Sequence, residues 1–344
     1  MKTYSYLDSP MKVWGIIDFD KTHKLQRIPD ELIASMEILP REYGLRCPGA
    51  RIGFRTNACE IKIKMTFSKL TPDIGISIYG CQSFYVFQGS KSGGRYLGHG
   101  FPASYDQLSF EKTFTKSPDM EDILIWLPRN EPVIDIQISV NDEAAVQPPT
   151  PYRYDKPVLY YGSSITECGC STVLFNGYNC LLSRWLDVDF YNLGFSGSAR
   201  GERAVAEYIA GVDMSVFVFD YDHNSPTPET LRATHEPFFK IIREKRPELP
   251  VIMMTRPCIE IDDDVKARRD IVYQTYLNAK KEGDDNVWFI DGSTFYGDTD
   301  RDLCSVDTIH PNDLGFWRMA NVIKPVLKEA LEKSKSQNYE GYVS

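Results

Sequence analysis

The 344-residue chain holds only five histidines, His23, His99, His223, His235 and His310, so a hydrolase built on an imidazole base has few candidates for it. Long hydrophobic runs are missing too. No segment approaches the roughly 20 apolar residues that cross a bilayer, and the start, MKTYSYLDSPMK, has no apolar core of signal-peptide length. The expectation is a cytoplasmic protein with no membrane partner. An excess of positive charge is also absent. The formal net charge is −9, which argues against nucleic acid as a partner, because phosphate binding draws on clustered Lys and Arg. The eight cysteines, Cys47, Cys59, Cys81, Cys168, Cys170, Cys180, Cys258 and Cys304, are dispersed. Cys168-Gly-Cys170 with Cys180 nearby is open to reading as a metal or redox cluster, but no second Cys or His pair stands at a zinc-site spacing. Reduced, largely buried thiols are the better expectation, and no metal is expected. Polar low-complexity tracts are lacking, and the length suffices for two domains, each with its own core.

What is present divides into two halves. Residues 60–67 (EIKIKMTF) alternate, with Ile61, Ile63, Met65 and Phe67 on one face. Residues 133–139 do the same through Ile134, Ile136 and Ile138. Further apolar runs at 12–17, 74–79, 84–87 and 123–127 lie between Gly, Pro, Asn and Asp clusters, so residues 1–150 read as an all-β sandwich interrupted by one helix near 30–37. The segment QPPTPYRYDKP at 147–157 carries four prolines and makes a stiff connector. Beyond it, β and α patterns alternate, and residues 151–344 read as a second domain. Apolar runs stand at 158–161, 189–192, 215–220, 250–255 and 286–290. Helical stretches occupy about 177–186, 200–210, 228–245 and 263–281, with one more at the end. Thr227-Pro228-Glu229 offers a cap, a first-turn proline and an early acid, and Pro237 is expected to kink or interrupt its helix. Five strands alternating with helices imply an α/β fold with a doubly wound parallel five-stranded sheet, whose ligands bind beyond the carboxyl ends of the strands.

The loops at those ends carry the chemistry. After the first strand comes Tyr161-Gly162-Ser163-Ser164-Ile165-Thr166, a place for a nucleophile, although a turn or cap serine is the plainer reading. After the second comes Asn192-Leu193-Gly194-Phe195-Ser196-Gly197-Ser198. Its backbone N–H groups could meet a developing oxyanion, or its glycines could merely ease a tight turn. After the third comes Asp220-Tyr221-Asp222-His223-Asn224-Ser225-Pro226, where Asn224 is a side-chain donor or part of an Asx turn. The last, Asp307-Thr308-Ile309-His310 followed by Pro311-Asn312-Asp313-Leu314-Gly315, holds a carboxylate and an imidazole three residues apart, and caps the final helix as well.

Taken in order, a Ser loop, a Gly loop, an Asn loop and a late Asp-x-x-His resemble the four blocks of the SGNH or GDSL-type hydrolase superfamily over residues 157–333. YGSSIT, NLGFSGSARGE, DYDHN and VDTIHPNDLGFWRMA are similar to its subgroup with GSSIT in place of GDSIT and an N-terminal β-sandwich. GISIYG at 75–80 resembles that subgroup's Gly-x-Asp-Leu-Tyr signature, with Ser77 and Ile78 in place of the Asp and Leu. The resemblance implies a flavodoxin-like SGNH hydrolase domain behind a jelly-roll-like sandwich. It also implies that Ser164 is the nucleophile, that Asp307 and His310 complete the triad, and that Ser164, Gly197 and Asn224 form the oxyanion hole. Two departures stand out: Ser163 takes the position of the usual Asp, and the third block lacks the usual Gly-x-Asn-Asp form. Asp222 is an alternative for the Asn position, but an anion there would repel an oxyanion.

The activity so implied is a cofactor-free serine esterase acting on short acyl esters, O-acetyl groups on carbohydrate first among them. An esterase or acyltransferase acting on another small molecule is the first alternative. A glycan-binding protein with an inactive hydrolase domain is the second. The expected partner is a small-molecule or oligosaccharide ester, with homo-oligomerisation left open. Phe175, Tyr178, Phe195, Tyr221 and Tyr296 are candidates for a sugar platform, and the glycine-rich loop 89–101 for a flexible arm reaching the site or a second subunit.

Overall fold

Glu60–Phe67 forms the strand that its alternation implies, with Ile61, Ile63, Met65 and Phe67 turned inward. The structure, a computed structural model, describes residues 1–36 and 38–340. The strand lies between Val133–Val140 and Ser109–Thr115 in a four-stranded antiparallel sheet completed by Lys2–Ser5. A second antiparallel sheet runs Val146–Gln147, Arg51–Thr56, Glu121–Trp126, Phe84–Gln88, Arg95–Gly100, with Lys12–Trp14 added beside Arg51–Thr56. Ile52, Phe54, Phe84, Val86 and Ile125 from this sheet share one buried cluster with Ile61, Ile63, Ile136, Ile138 and Val140 from the first. That is the face-to-face packing of a β-sandwich.

Several expectations change here. Ile134 does not join the core: the register shifts opposite Phe67, Val133 takes the inward position and Ile134 is 57% exposed. Residues 74–79 form no strand but a turn entering the short helix Ile78–Cys81. The glycine-rich segment 89–101 contains the strand Arg95–Gly100, because pairing with Phe84–Gln88 supplies the backbone bonds that glycine composition does not exclude. The helix expected over 30–37 spans Asp30–Ser35, and residue 37 lies outside the described residues, as do residues 341–344 of the expected second domain.

The later half carries five parallel strands: β1 (Tyr154–Gly162), β2 (Val188–Gly194), β3 (Val216–Asp220), β4 (Val251–Met254) and β5 (Val287–Ile290). Their order is β2-β1-β3-β4-β5, the flavodoxin-like arrangement. The helices are α1 (Tyr178–Leu186), α2 (Arg203–Gly211), α3 (Pro228–Lys245), α4 (Asp263–Lys281) and α5 (Asp313–Glu340). Val158, Tyr160, Phe190 and Val218 pack with Leu182 of α1 and Met319 and Ile323 of α5. Leu159, Tyr161, Phe217 and Phe219 pack with Ile209, Phe238 and Val272 of α2, α3 and α4. Both faces of the sheet are thus covered, as the continuous apolar runs require. Helix α3 passes Pro237 without interruption. The capping box between Thr227 and Thr230 starts it, and burial of Phe238, Phe239 and Ile242 beyond the proline holds it.

The sandwich is packed on the parallel sheet. Tyr85, Phe87, Leu124 and Trp126 enter the same cluster as Val158 and Phe190. Arg51 is fully buried there, paired with Asp189 and lying over the Trp126 and Phe190 rings at 4.9 and 4.5 Å.

Candidate active site

At the end of β1 the chain turns so tightly that a Cβ on Gly162 would stand 2.1 Å from both Asp220 O and Thr166 Oγ1. The turn carries Ser163 and Ser164 in different roles. Ser163 is 2% exposed and its Oγ accepts the Ile165 N–H at 3.1 Å, which occupies it locally. Ser164 faces a cavity at the carboxyl ends of the strands.

The loop before α5 supplies the partner. Asp307 Oδ1 accepts the backbone N–H groups of Ile309 at 3.0 Å and His310 at 2.7 Å, closing a tight turn. Thr308, between them, adopts the left-handed region at φ 73°, a conformation that a β-branched residue rarely takes. Asp307 Oδ2 accepts from His310 Nδ1 at 2.7 Å, and His310 Nε2 stands 2.8 Å from Ser164 Oγ. An ionised carboxylate only accepts, so the imidazole proton lies on Nδ1 and Nε2 is left to accept from the serine hydroxyl. Burial pushes the Asp307 carboxyl up, but the hydrogen bonds from His310 and Ile309 outweigh it and hold the group below the usual carboxylate range.

The other two blocks converge on the same place. Gly197 has φ +67°, and a Cβ there would meet nothing within 4 Å, so backbone conformation rather than crowding calls for glycine. Asn224, in the short turn after β3, donates from Nδ2 to Phe195 O at 2.8 Å, tying its loop to that of Gly197. Ser164, Gly197, Asn224, Asp307 and His310 all line one open cavity of about 480 Å³. A larger cleft of about 840 Å³, between Lys12–Trp14 and the proline connector, holds none of the five. Asp222 does not line the cavity with them: its Oδ2 accepts the Arg256 N–H at 3.3 Å, and burial pushes its carboxyl up to about 6. His223 does line it. Burial, then the charges of Arg256 and His310, push it down to about 4, so it is neutral near pH 7.

The expected aromatic platform is not formed. Tyr178, Phe195, Tyr221 and Tyr296 are buried in the cores, and Phe175 packs edge-on against Tyr85 and Phe87. Their apolar area is worth more inside than on a loop.

Residues overlooked in the sequence lie beneath the cavity. Glu167, three positions after Ser164, accepts from the Ser196 hydroxyl and is paired with Arg27 at 3.1 Å, both side chains being 2% exposed or less. Arg27 also donates to Gly194 O and Tyr43 O. Burial pushes the Glu167 carboxyl up, but Arg27, Arg129 and Arg46 outweigh it and hold it below the usual range. Glu167 had one local signal, its place in the serine loop. The three arginines come from the first half and had none. Among the described residues, no group of three or more His, Cys, Asp or Glu side chains is arranged to hold a metal ion, and no helix is long and apolar enough to cross a membrane.

Residues 155–328, half of the chain, match the family model described as GDSL-like Lipase/Acylhydrolase family. No curated protein matches the chain. Among solved structures, a candidate GDSL-like lipase of Bacteroides ovatus ATCC 8483 superposes with TM-score 0.84 at 23% identity, covering 96% of this chain and 98% of the other. A salicylyl-acyltransferase from a tetracycline biosynthetic pathway gives 0.77 at 18%, with 95% and 97% coverage. A family two carbohydrate esterase of Clostridium thermocellum in complex with cellohexaose gives 0.65 at 13%, with 94% and 99% coverage. At such identities the likeness concerns the fold, and it extends over both halves.

Proposed function

The chain belongs to the GDSL-like lipase/acylhydrolase family, which makes it an SGNH-type ester hydrolase, and we propose that it removes short acyl groups, acetyl first among them, from carbohydrate through a Ser164–His310–Asp307 triad. One observation carries the reading: the continuous hydrogen-bond chain from Ser164 Oγ to His310 Nε2 at 2.8 Å and from His310 Nδ1 to Asp307 at 2.7 Å. Ser164 Oγ attacks the ester carbonyl while its proton passes to His310 Nε2. Asp307 holds the imidazole in the accepting tautomer and offsets the charge that forms. The negative oxygen is met by the Ser164 and Gly197 backbone N–H groups and by the second N–H of Asn224, the first being engaged with Phe195 O. His310 then protonates the departing alcohol oxygen, the C–O bond breaks and an acyl-serine remains. Water, losing its proton to the same nitrogen, attacks that ester and frees the acid and Ser164.

A carbohydrate alcohol is supported by the fold neighbours named as carbohydrate esterases, one holding cellohexaose. Transfer of the acyl group to another alcohol, the activity named for the salicylyl neighbour, is the second reading. A binding-only protein is disfavoured by the intact Ser, His and Asp. In the same reading, residues 1–150 cover and shape the site, and residues 151–344 carry the chemistry. The test is acetate release from a panel of acetylated oligosaccharides and from 4-nitrophenyl acetate, with Ser164→Ala as control. Turnover in the wild type and none in the variant is expected. Equal turnover in both would remove Ser164 from the chemistry.

A further inference from the structure

Two arginines, Arg46 and Arg129, line the cavity that holds Ser164 and His310, and among the described residues neither side chain has an oxygen within hydrogen-bond length. Arg129, from the turn after the strand Glu121–Trp126, is 3% exposed. Its nearest acceptors are Cys81 Sγ at 3.9 Å and Asp73 Oδ2 at 3.8 Å, the first a weak acceptor and the second beyond normal hydrogen-bond length. Asp73 is itself engaged by Asn130 and by the Gly75 N–H. The place of Arg129 relative to the nucleophile is fixed by Gly169, whose N–H bonds Ser164 O at 2.8 Å. A Cβ built on Gly169 would stand 3.0 Å from Ser164 O and 3.3 Å from Arg129 Nη1. The guanidinium is therefore beside the serine loop, on the cavity wall. Arg46 lies over the Tyr43 ring at 4.4 Å, its Nε buried without a partner, and both residues line the cavity.

A buried guanidinium has five donors, and leaving them unmade costs free energy unless something arrives to accept them. The structural alternative, that these arginines only neutralise Glu167, leaves the forks of Arg46 and Arg129 without a carboxylate within hydrogen-bond length. Arg27, Arg46 and Arg129 act on that one carboxylate, and only Arg27 lies within 4 Å of it. Of the other nearby acids, Asp307 is committed to His310, and Glu42 is paired with Lys69 at 3.0 Å. Arg46, with its Nε unpartnered, and Arg129, with no oxygen within hydrogen-bond length, thus line the cavity that holds Ser164. Planar forked donors match a carboxylate in a way that a hydroxyl does not.

We infer that the ester cleaved at Ser164 also bears a carboxylate, which Arg46 and Arg129 bind. This deepens the esterase reading and rests on it: the substrate is an acylated acidic sugar, or an ester whose acyl chain ends in an acid. The neutral hydroxyls of a plain oligosaccharide leave the forks unfilled.

The test is a comparison of kcat/KM for matched acidic and neutral esters. With the acid on the alcohol side, O-acetylated galacturonic acid is set against O-acetylated galactose. With the acid on the acyl side, 4-nitrophenyl hemiglutarate is set against 4-nitrophenyl butyrate. A preference of about tenfold or more for the acid in either pair is expected, and the pair that shows it identifies the side. In Arg46→Gln and Arg129→Gln the acid-to-neutral ratio should fall about tenfold, with Arg129→Lys intermediate because it keeps the charge and loses the fork. Arg46 is only partly buried, so its variant serves if Arg129→Gln does not fold. No preference in either pair, or a preference that survives both substitutions, would overturn the inference. Failure of the esterase reading is a separate result, seen as no Ser164-dependent turnover of 4-nitrophenyl acetate. In that event, calorimetric titration of galacturonate and glutarate into the wild-type protein still decides: binding lost in Arg46→Gln sustains the anion site, and no binding ends it.

Discussion

Replacing Asp307 by Asn tests the triad where the geometry is most constrained. Asp307 Oδ1 accepts two backbone N–H groups, from Ile309 at 3.0 Å and His310 at 2.7 Å, while Oδ2 accepts from His310 Nδ1 at 2.7 Å. An amide has one oxygen for these three donors. Placing its NH₂ against the two backbone donors forfeits both turn bonds, so the oxygen stays there and the NH₂ faces Nδ1. Nδ1 must then accept, which moves the imidazole proton to Nε2, where it points at Ser164 Oγ. In that tautomer the imidazole cannot take the serine proton. The expected loss in kcat is about 10³–10⁴, or about 4–5.5 kcal/mol of transition-state stabilisation. The fold should be barely affected, because the turn keeps its bonds. The assay is 4-nitrophenyl acetate hydrolysis with thermal melting alongside, and Asp302→Asn, an exposed acid five residues upstream, is the control. A loss of less than about tenfold with an unchanged melting temperature would refute the tautomer argument, since nothing else in the turn selects Nδ1–H.

Two further substitutions separate chemistry from folding. Asn224→Ala should lower kcat by about 10²–10³ as one oxyanion donor is lost. Its effect on melting should be small, because Phe195 O keeps the Ser198 N–H at 2.9 Å. Unchanged kcat would mean that the oxyanion is held elsewhere. His235 is buried against Phe219 at 4.4 Å with Nδ1 2.9 Å from Thr275 Oγ1, and burial pushes it down to about 3. An unfolded histidine titrates near 6.5, so between those values the unfolded chain binds the extra proton. Stability is fully present above about 6.5 and is lost as pH falls towards 3, by about 1.4 kcal/mol per unit at most. The melting-temperature gap between wild type and His235→Gln should therefore narrow from pH 7 to pH 4. A gap independent of pH would show that His235 does not titrate in this way.

The elements legible in the sequence are those whose cause is local. Helix α3 begins where Thr227 caps it, a cap that can be read within four residues. Glu60–Phe67 alternates because one of its faces is buried and the other is not. The strand Arg51–Thr56, reading RIGFRT, went unread for the opposite reason. It is central in its sheet and covered on both sides, and its leading arginine is buried only because Asp189 waits 138 residues away. Lys2–Ser5 and Ser109–Thr115 are edge strands of mixed polarity, defined by their neighbours rather than by a pattern of their own.

The site divides in the same way. The loops were legible because a parallel sheet delivers its strands' carboxyl ends to one edge, and the resemblance to the SGNH blocks singled out Ser164, Gly197, Asn224 and the Asp307–His310 turn, which line one cavity. What sequence order cannot supply is the charge beneath them. Glu167 fastens the serine loop to Ser196 and is held by Arg27, which also grips Gly194 O at the end of β2. A carboxylate that deep is tolerated only with its counter-charge present, and that counter-charge comes from the segment before the sandwich's first long strand. The first half therefore does more than roof the cavity. Its Arg27 completes the electrostatics that let the serine loop and the Gly197 loop sit side by side, and two further arginines it brings along, Arg46 and Arg129, line the same cavity.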